Sequence, residues 1–316
     1  MSRLPQYRRM KRKCLPILAA LVSVGFCATL TCAQSVPAAN PVSGLPALGQ
    51  ARAEYLRRLR QCVIQDPDSP LLHKDLFSLL DNRHISDDRA WALAVIGQLP
   101  ADSRSRPKLK PEWYHRFTPL VVRGLEDEDE HVRTAALSAL GNFGQYARSA
   151  VPKIAEFLEQ TDTDVALRAA QALGKLGPDA EGAVPSLLAL LGKGPSPSTD
   201  VLLEPEAAAQ ALGQIGPAAK AAIPALVQAA RNNTGEYRLQ SAVALEKIDP
   251  GNEAAWEALR QSLKADTEAV RRQTVIALEQ FAPRAREKVV PLLQEATVDP
   301  DWEVSSSAKS ALTRVK

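Results

Sequence analysis

The chain has 316 residues, 45% of them hydrophobic and 5% aromatic, which suits a core of small aliphatic side chains and argues against a β-sandwich. Its formal charge of +3 belongs to the N-terminus: Arg3, Arg8, Arg9, Lys11, Arg12 and Lys13 have no acidic counterpart before residue 34, and residues 34–316 carry 33 basic against 36 acidic side chains, a charge of −3. That balance removes the usual case for a nucleic-acid surface, and no nucleic acid is expected among the partners.

The first segment has three parts: the cationic stretch to Lys13, an apolar run from Cys14 to Leu30, and the small-residue tripeptide Thr31-Cys32-Ala33. This is the pattern of a secretory signal peptide over residues 1–33, with cleavage after Ala33 and export to a periplasmic or extracellular space. Residues 14–33, 20 in number, are also long enough to span a bilayer, so an uncleaved anchor is the alternative and the one route to a membrane partner. A lipid-acceptor cysteine normally follows a small residue, which Thr31 before Cys32 and Phe26 before Cys27 do not supply. Cys14, Cys27 and Cys32 lie in this segment, so a cleaved chain keeps only Cys62 and has no intramolecular disulfide. Residues 34–50, rich in Pro, Ala and Ser, read as a flexible linker. Residues 51–111 read as a divergent helical cap: a helix from Ala51 to Ile64 carries Cys62 as a buried thiol, and Ile96 stands where the repeats described next have leucine.

From residue 112 to 316 the chain is periodic. Pro119, Pro152 and Pro185 are 33 residues apart, and Pro224, Trp256 and Pro291 continue the series to six units. Twenty-one residues after each start lies Leu140, Leu173, Leu212, Leu245, Leu278 or Leu312, once a six-residue insertion in unit 3 and a one-residue insertion in unit 5 are allowed. Alanine precedes every one of these leucines. Three positions after them come Phe143, Leu176, Ile215, Ile248, Phe281 and Val315, all apolar.

Each unit reads as a helical hairpin. Proline is tolerated in the first turn of a helix, so it is expected to open helix A. Polar turns such as Glu126–Asp129, Ala265–Glu268 and Asp299–Asp301 separate helix A from helix B, and their acids are placed to cap helix B. Val165, Ala169, Ala172, Leu173 and Leu176 show helical spacing in helix B, which Gly177-Pro178 and Gly216-Pro217 terminate. Alanine at the crossing points permits close helix approach. Ser305, Ser306, Ser307 and Ser310 give the last helix the water-facing polarity of a terminal repeat.

The segments Gly177-Pro-Asp-Ala-Glu-Gly-Ala-Val-Pro185-Ser-Leu-Leu and Gly216-Pro-Ala-Ala-Lys-Ala-Ala-Ile-Pro224-Ala-Leu-Val resemble HEAT repeats, specifically the short HEAT-like class that includes phycobilisome lyase repeats. The resemblance covers about two thirds of the chain. It implies an all-α fold, a right-handed α-solenoid of stacked two-helix repeats, in which helix B lines the concave side. For function it implies a scaffold for protein–protein interaction more than an enzyme, and no lyase residue carries over to this sequence.

Little in the sequence suggests catalysis. His73, His84, His115 and His131 have no metal-ligand spacing on a common helix, and Gly192-Lys-Gly194-Pro-Ser lacks the upstream glycine of a phosphate loop. The run Glu126–Glu130 reads as capping acids, with calcium binding the weaker alternative. No catalytic residue, metal or cofactor is therefore expected. Two columns of residues recur at constant phase instead. One is Asn142, Lys175, Gln214, Lys247, Gln280 and Arg314, polar throughout and free of acids. The other is Arg133, Arg238 and Arg271, with Arg168 and Arg272 nearby. The solvated face of a helix has the same composition. The functional expectation is a neutral-to-basic groove on a non-catalytic exported scaffold, binding an acidic or polar segment of another protein. A lyase-like or accessory subunit of an enzyme complex is the alternative. The insertion at residues 192–203 is either a recognition loop or neutral.

Overall fold

A computed structural model describes residues 76, 79–80, 86–101, 111–159, 163–194 and 204–315. The signal-peptide and linker readings, Cys62, His73, His84 and most of the insertion near residues 192–203 lie outside the described residues. Among those described, every regular element is helical: α1 (Ser86–Ala101), α2 (Pro111–Gly124), α3 (Glu130–Phe143), α4 (Val151–Glu156), α5 (Thr163–Leu176), α6 (Val184–Leu191), α7 (Glu204–Ile215), α8 (Ile223–Asn232), α9 (Gly235–Ile248), α10 (Glu253–Ser262), α11 (Glu268–Ala296) and α12 (Trp302–Val315). They stack as hairpins in chain order into one continuous apolar core. The B helices are α3, α5, α7, α9, the first part of α11, and α12. The repeat leucines Leu140, Leu173, Leu212, Leu245 and Leu278 are fully buried.

Short 3-10 helices at Gly144–Ala150, Gly177–Ala183 and Gly216–Ala222 link one unit to the next. Gly177 and Gly216 leave the preceding B helix at φ of 63° and 71°, the left-handed region that glycine enters without penalty. After these links Pro152, Pro185 and Pro224 are the second residues of α4, α6 and α8, where a missing N–H has no intrahelical partner to lose.

The expectation that proline opens helix A fails in units 1 and 6. Pro119 lies inside α2, which begins at Pro111. The upstream turns form because Trp113, Tyr114 and Phe117 are buried there: Trp113 meets Phe117 at 4.4 Å and Phe143 at 5.7 Å between ring centroids, and Tyr114 stacks on Tyr146 at 4.0 Å. Pro291 lies inside α11, which runs from unit 5 helix B into unit 6 helix A through a break at Ala285 (φ −140°, ψ 40°), two residues after Pro283. No glycine stands at this junction to turn the chain, so the helices join through a kink. The last helix also departs from expectation. Ser305 is buried and its Oγ donates to the Trp302 carbonyl at 3.2 Å, while Ser310 faces water.

Close approach of successive B helices depends on glycine as well as alanine. The residue after the repeat leucine, or after Ile96 in α1, is Gly97, Gly141, Gly174 or Gly213. A Cβ built on these would lie 2.7, 2.9, 3.1 and 2.8 Å from the Cα of Ala139, Ala172, Ala211 and Ala244, the alanine that precedes the next leucine. α1 therefore packs as a B helix ahead of unit 1. The series stops at α9, where Glu246 occupies the glycine position and α9 meets α11 at far fewer points than the earlier pairs meet.

Candidate functional site

The side of each B helix opposite the core carries the residue two places after the repeat leucine. Lys175, Gln214, Gln280 and Arg314 are exposed there, and Asn142 and Lys247 are half-buried. The first members of this column touch. Lys175 Nζ donates to Asn142 Oδ1 at 3.0 Å, and Asn142 Nδ2 donates to the Gly97 carbonyl at 3.0 Å, so α1, α3 and α5 are tied together along the face. The Gln214 side chain lies over Gly174, in the space a Cβ would fill. Burial pushes the Lys247 ammonium below the usual lysine range. Arg314 Nε pairs with Glu279 at 3.0 Å. Beside this column run Ser138, Gln171, Gln210, Val243, Ile276 and Ser310, among which Ile276 is 47% exposed. Arg168 and Arg272 are exposed on the same helices and pair with Asp164 and Glu303.

The second column has a different role. The arginine seven places before the repeat leucine points along the turn edge toward the following unit. Arg271 Nε and Nη2 donate to Asp299 at 2.8 and 3.1 Å, and its Nη1 donates to the carbonyls of Ala265 and Asp266 in its own turn. Both side chains are nearly buried, 13% and 7% exposed. Arg89 of α1 repeats the geometry with Asp127, at 2.8 Å on both arms. Arg133 Nη1 holds the Asp127 and Glu128 carbonyls at 3.0 and 2.9 Å. Arg271 thus fastens one unit to the next and Arg133 closes the turn of its own unit, and neither serves as an open groove lining. Burial pushes the Asp127 and Asp299 carboxyls up. Hydrogen bonds from Arg89 and Arg271, the amides of Asp129 and Asp301, and the arginine charges outweigh it, holding both below the usual carboxylate range. The sequence contained this signal in the recurrence of aspartate thirteen places before the leucine in units 1 and 6, which arginine phase alone did not reveal.

The turn acids cap as expected in units 1 and 6, where Asp129 Oδ1 accepts from the His131 amide at 2.9 Å and Asp301 Oδ1 from the Val304 amide at 3.0 Å. His115 and His131 are exposed and far from any cluster of ligands; among the described residues no three His, Cys, Asp or Glu side chains are grouped to hold a metal ion. No helix among the described residues is long and apolar enough to cross a membrane.

The HEAT-repeat family profile matches residues 118–200 and 205–279, half of the chain. The chain belongs to the HEAT repeat family. The chain is also similar to solved structures. An engineered protein is 22% identical over 77% of this chain and 95% of its own, with a TM-score of 0.40. Importin beta is 14% identical over 84% of this chain and 38% of its own, with a TM-score of 0.49. A designed armadillo repeat protein is 18% identical over 77% of this chain and 99% of its own, with a TM-score of 0.37. No curated protein matches the chain.

Proposed function

We propose that this HEAT repeat protein is an exported, non-catalytic scaffold that holds an acidic or polar segment of another protein against the face formed by its B helices. The observation that carries the reading is the column from Asn142 to Arg314. It is contiguous across units, mostly exposed, and contains no acid, so a negatively charged segment laid along it meets donors and cations in every unit. The exposed Ile276 beside it adds an apolar anchor, and exposed apolar surface rimmed by polar groups is what transient interfaces use. HEAT repeats generally present such faces to proteins.

The test changes exposed side chains of the face, of which Lys175 gives up its bond to Asn142. Arg271 is unsuitable because it fastens two units, and Lys247 because it is half-buried. Lys175→Glu, Gln214→Glu and Gln280→Glu together place three carboxylates on the face without entering the core. The full chain carrying them is expected to lose the partner protein that co-purifies from the native envelope or secreted fraction; the same partner retained in full would refute the assignment. N-terminal sequencing of the chain from that fraction is expected to begin at Gln34, and an intact Met1 start would refute cleavage.

A further inference from the structure

We propose that the step between units 4 and 5 contains a carboxylate-binding site built on Arg238, which takes an aspartate or glutamate side chain of the partner protein. The proposal rests on the scaffold reading and names one contact within it.

At the filled steps of the turn edge, the arginine seven before the repeat leucine receives a carboxylate from the aspartate thirteen before the next one. Arg89 receives Asp127 and Arg271 receives Asp299, each through Nε and Nη2. Arg238 holds the same place in α9, seven residues before Leu245. The place of equivalent register in the next unit, thirteen before Leu278, is Ala265. The methyl group supplies neither the carboxylate nor the turn-closing acceptor that Asp127 and Asp299 offer to the amides two residues on.

Arg238 keeps a buried Nε with no hydrogen-bond partner, as Arg133 does at the step whose matching place, residue 160, lies outside the described residues. A buried guanidinium donor without an acceptor is unfavourable, and the acceptor geometry that satisfies it is defined by the two filled steps of the same molecule. Arg238 and Ala265 are both partly exposed at the residue level, so a side chain arriving at this edge reaches the buried Nε from the guanidinium's exposed part. The step is also the loosest in the B-helix stack. Glu246 replaces the glycine that brings earlier B helices together, and α9 and α11 pack sparsely. An acidic side chain entering here completes a bidentate pair the chain makes internally elsewhere.

Two measurements on the full chain test this. The first uses an internal occupant: Ala265→Asp is expected to raise the unfolding midpoint, and to lose that gain when combined with Arg238→Gln. The second uses blocked pentapeptides Gly-Gly-Asp-Gly-Gly and Gly-Gly-Asn-Gly-Gly, followed by the NMR signal of the Arg238 Nε–Hε group. The aspartate peptide is expected to shift that signal saturably, the asparagine peptide is not, and Ala265→Asp is expected to abolish the response. Failure of Ala265→Asp to stabilise, or equal shifts with both peptides, overturns the site. If the site responds while the three-glutamate face variant keeps its partner, the face reading fails and the site stands. If Ala265→Asp leaves partner capture unchanged, the site is overturned as a partner contact and the scaffold reading survives.

Discussion

Replacing Gly213 with alanine tests whether the glycine column sets the helix spacing. In an ordinary exposed helix the change stabilises by about 1 kcal/mol, because alanine loses less conformational freedom and shields the backbone. At Gly213 the new Cβ lies 2.8 Å from the Ala244 Cα and 3.1 Å from its Cβ, where ordinary contact begins at 3.4 Å. The nearer atom is backbone, so no rotamer change relieves the clash and α7 and α9 must part by about 0.6 Å. Overpacking of this kind costs about 1–3 kcal/mol, enough to cancel the helical gain and leave a net loss of about 1 kcal/mol. Urea unfolding followed by circular dichroism reads the change as a lower midpoint. Gly182→Ala is the control: its Cβ meets nothing within 4 Å, so it is expected to match or exceed the parent. With Ala244→Gly added, the costs are expected to be less than additive, since one of the two contacts disappears. A Gly213→Ala chain as stable as the parent would show that the B helices separate freely, and the spacing argument would fail.

Arg271→Gln leaves the Asp299 carboxylate nearly buried without its guanidinium, an expected loss of about 3 kcal/mol at pH 7. Because the folded Asp299 pKa lies below its ordinary 3.8, the pair's contribution is present above that value and lost as pH falls through the lower folded one. The acid limb of the stability curve should therefore be shallower in Arg271→Gln, and an unchanged limb would contradict the pairing. Glu246 behaves oppositely: burial raises its carboxyl above 4.5 despite the hydrogen bond from the Gly251 amide at 3.0 Å. Its ionised form opposes folding at neutral pH, so Glu246→Gln should stabilise at pH 7 and lose that advantage below pH 4.5. Tyr237 donates to the Leu191 carbonyl at 2.7 Å, and burial, then the Glu206 charge, push its phenol up to about 12. Tyr237→Phe should cost about 1 kcal/mol, measured as a lower midpoint, because the Leu191 carbonyl loses its shorter bond and keeps only the Gly194 amide at 3.3 Å.

Phase was the legible part. Leucine at constant spacing, alanine before it and an apolar residue three places after it are all statements about which residues meet the core, and burial follows them closely. Gly177 and Gly216 were legible for a different reason, since glycine followed by proline leaves a helix few continuations. Helix starts were less so. Pro119 and Pro152 look alike in sequence, yet one is preceded by buried aromatics that extend its helix and the other by a glycine that ends one. The arginine column was visible as a pattern, but Arg271 and Arg133 within it were misleading as groove residues. Phase places Arg271 on a helix but does not say that Asp299, in the next unit, takes its guanidinium inward. The polar column differs in exposure: Lys175 and Gln280 stay at the surface, although Lys175 also reaches Asn142 of the preceding unit.

The kinked α11 bears on how the array comes apart. A solenoid whose units are joined by loops can fray one repeat at a time from its end, each loss removing one interface. Here the second helix of unit 5 and the first of unit 6 follow one another directly across the break at Ala285, with no linking loop between them, and Arg271 on the first of these segments grips Asp299 in the last inter-helix turn. Unit 6 cannot open without disturbing the helix on which unit 5 depends. Hydrogen exchange should accordingly find α11 and α12 opening as a single cooperative block, since α11 meets the preceding B helix α9 only sparsely.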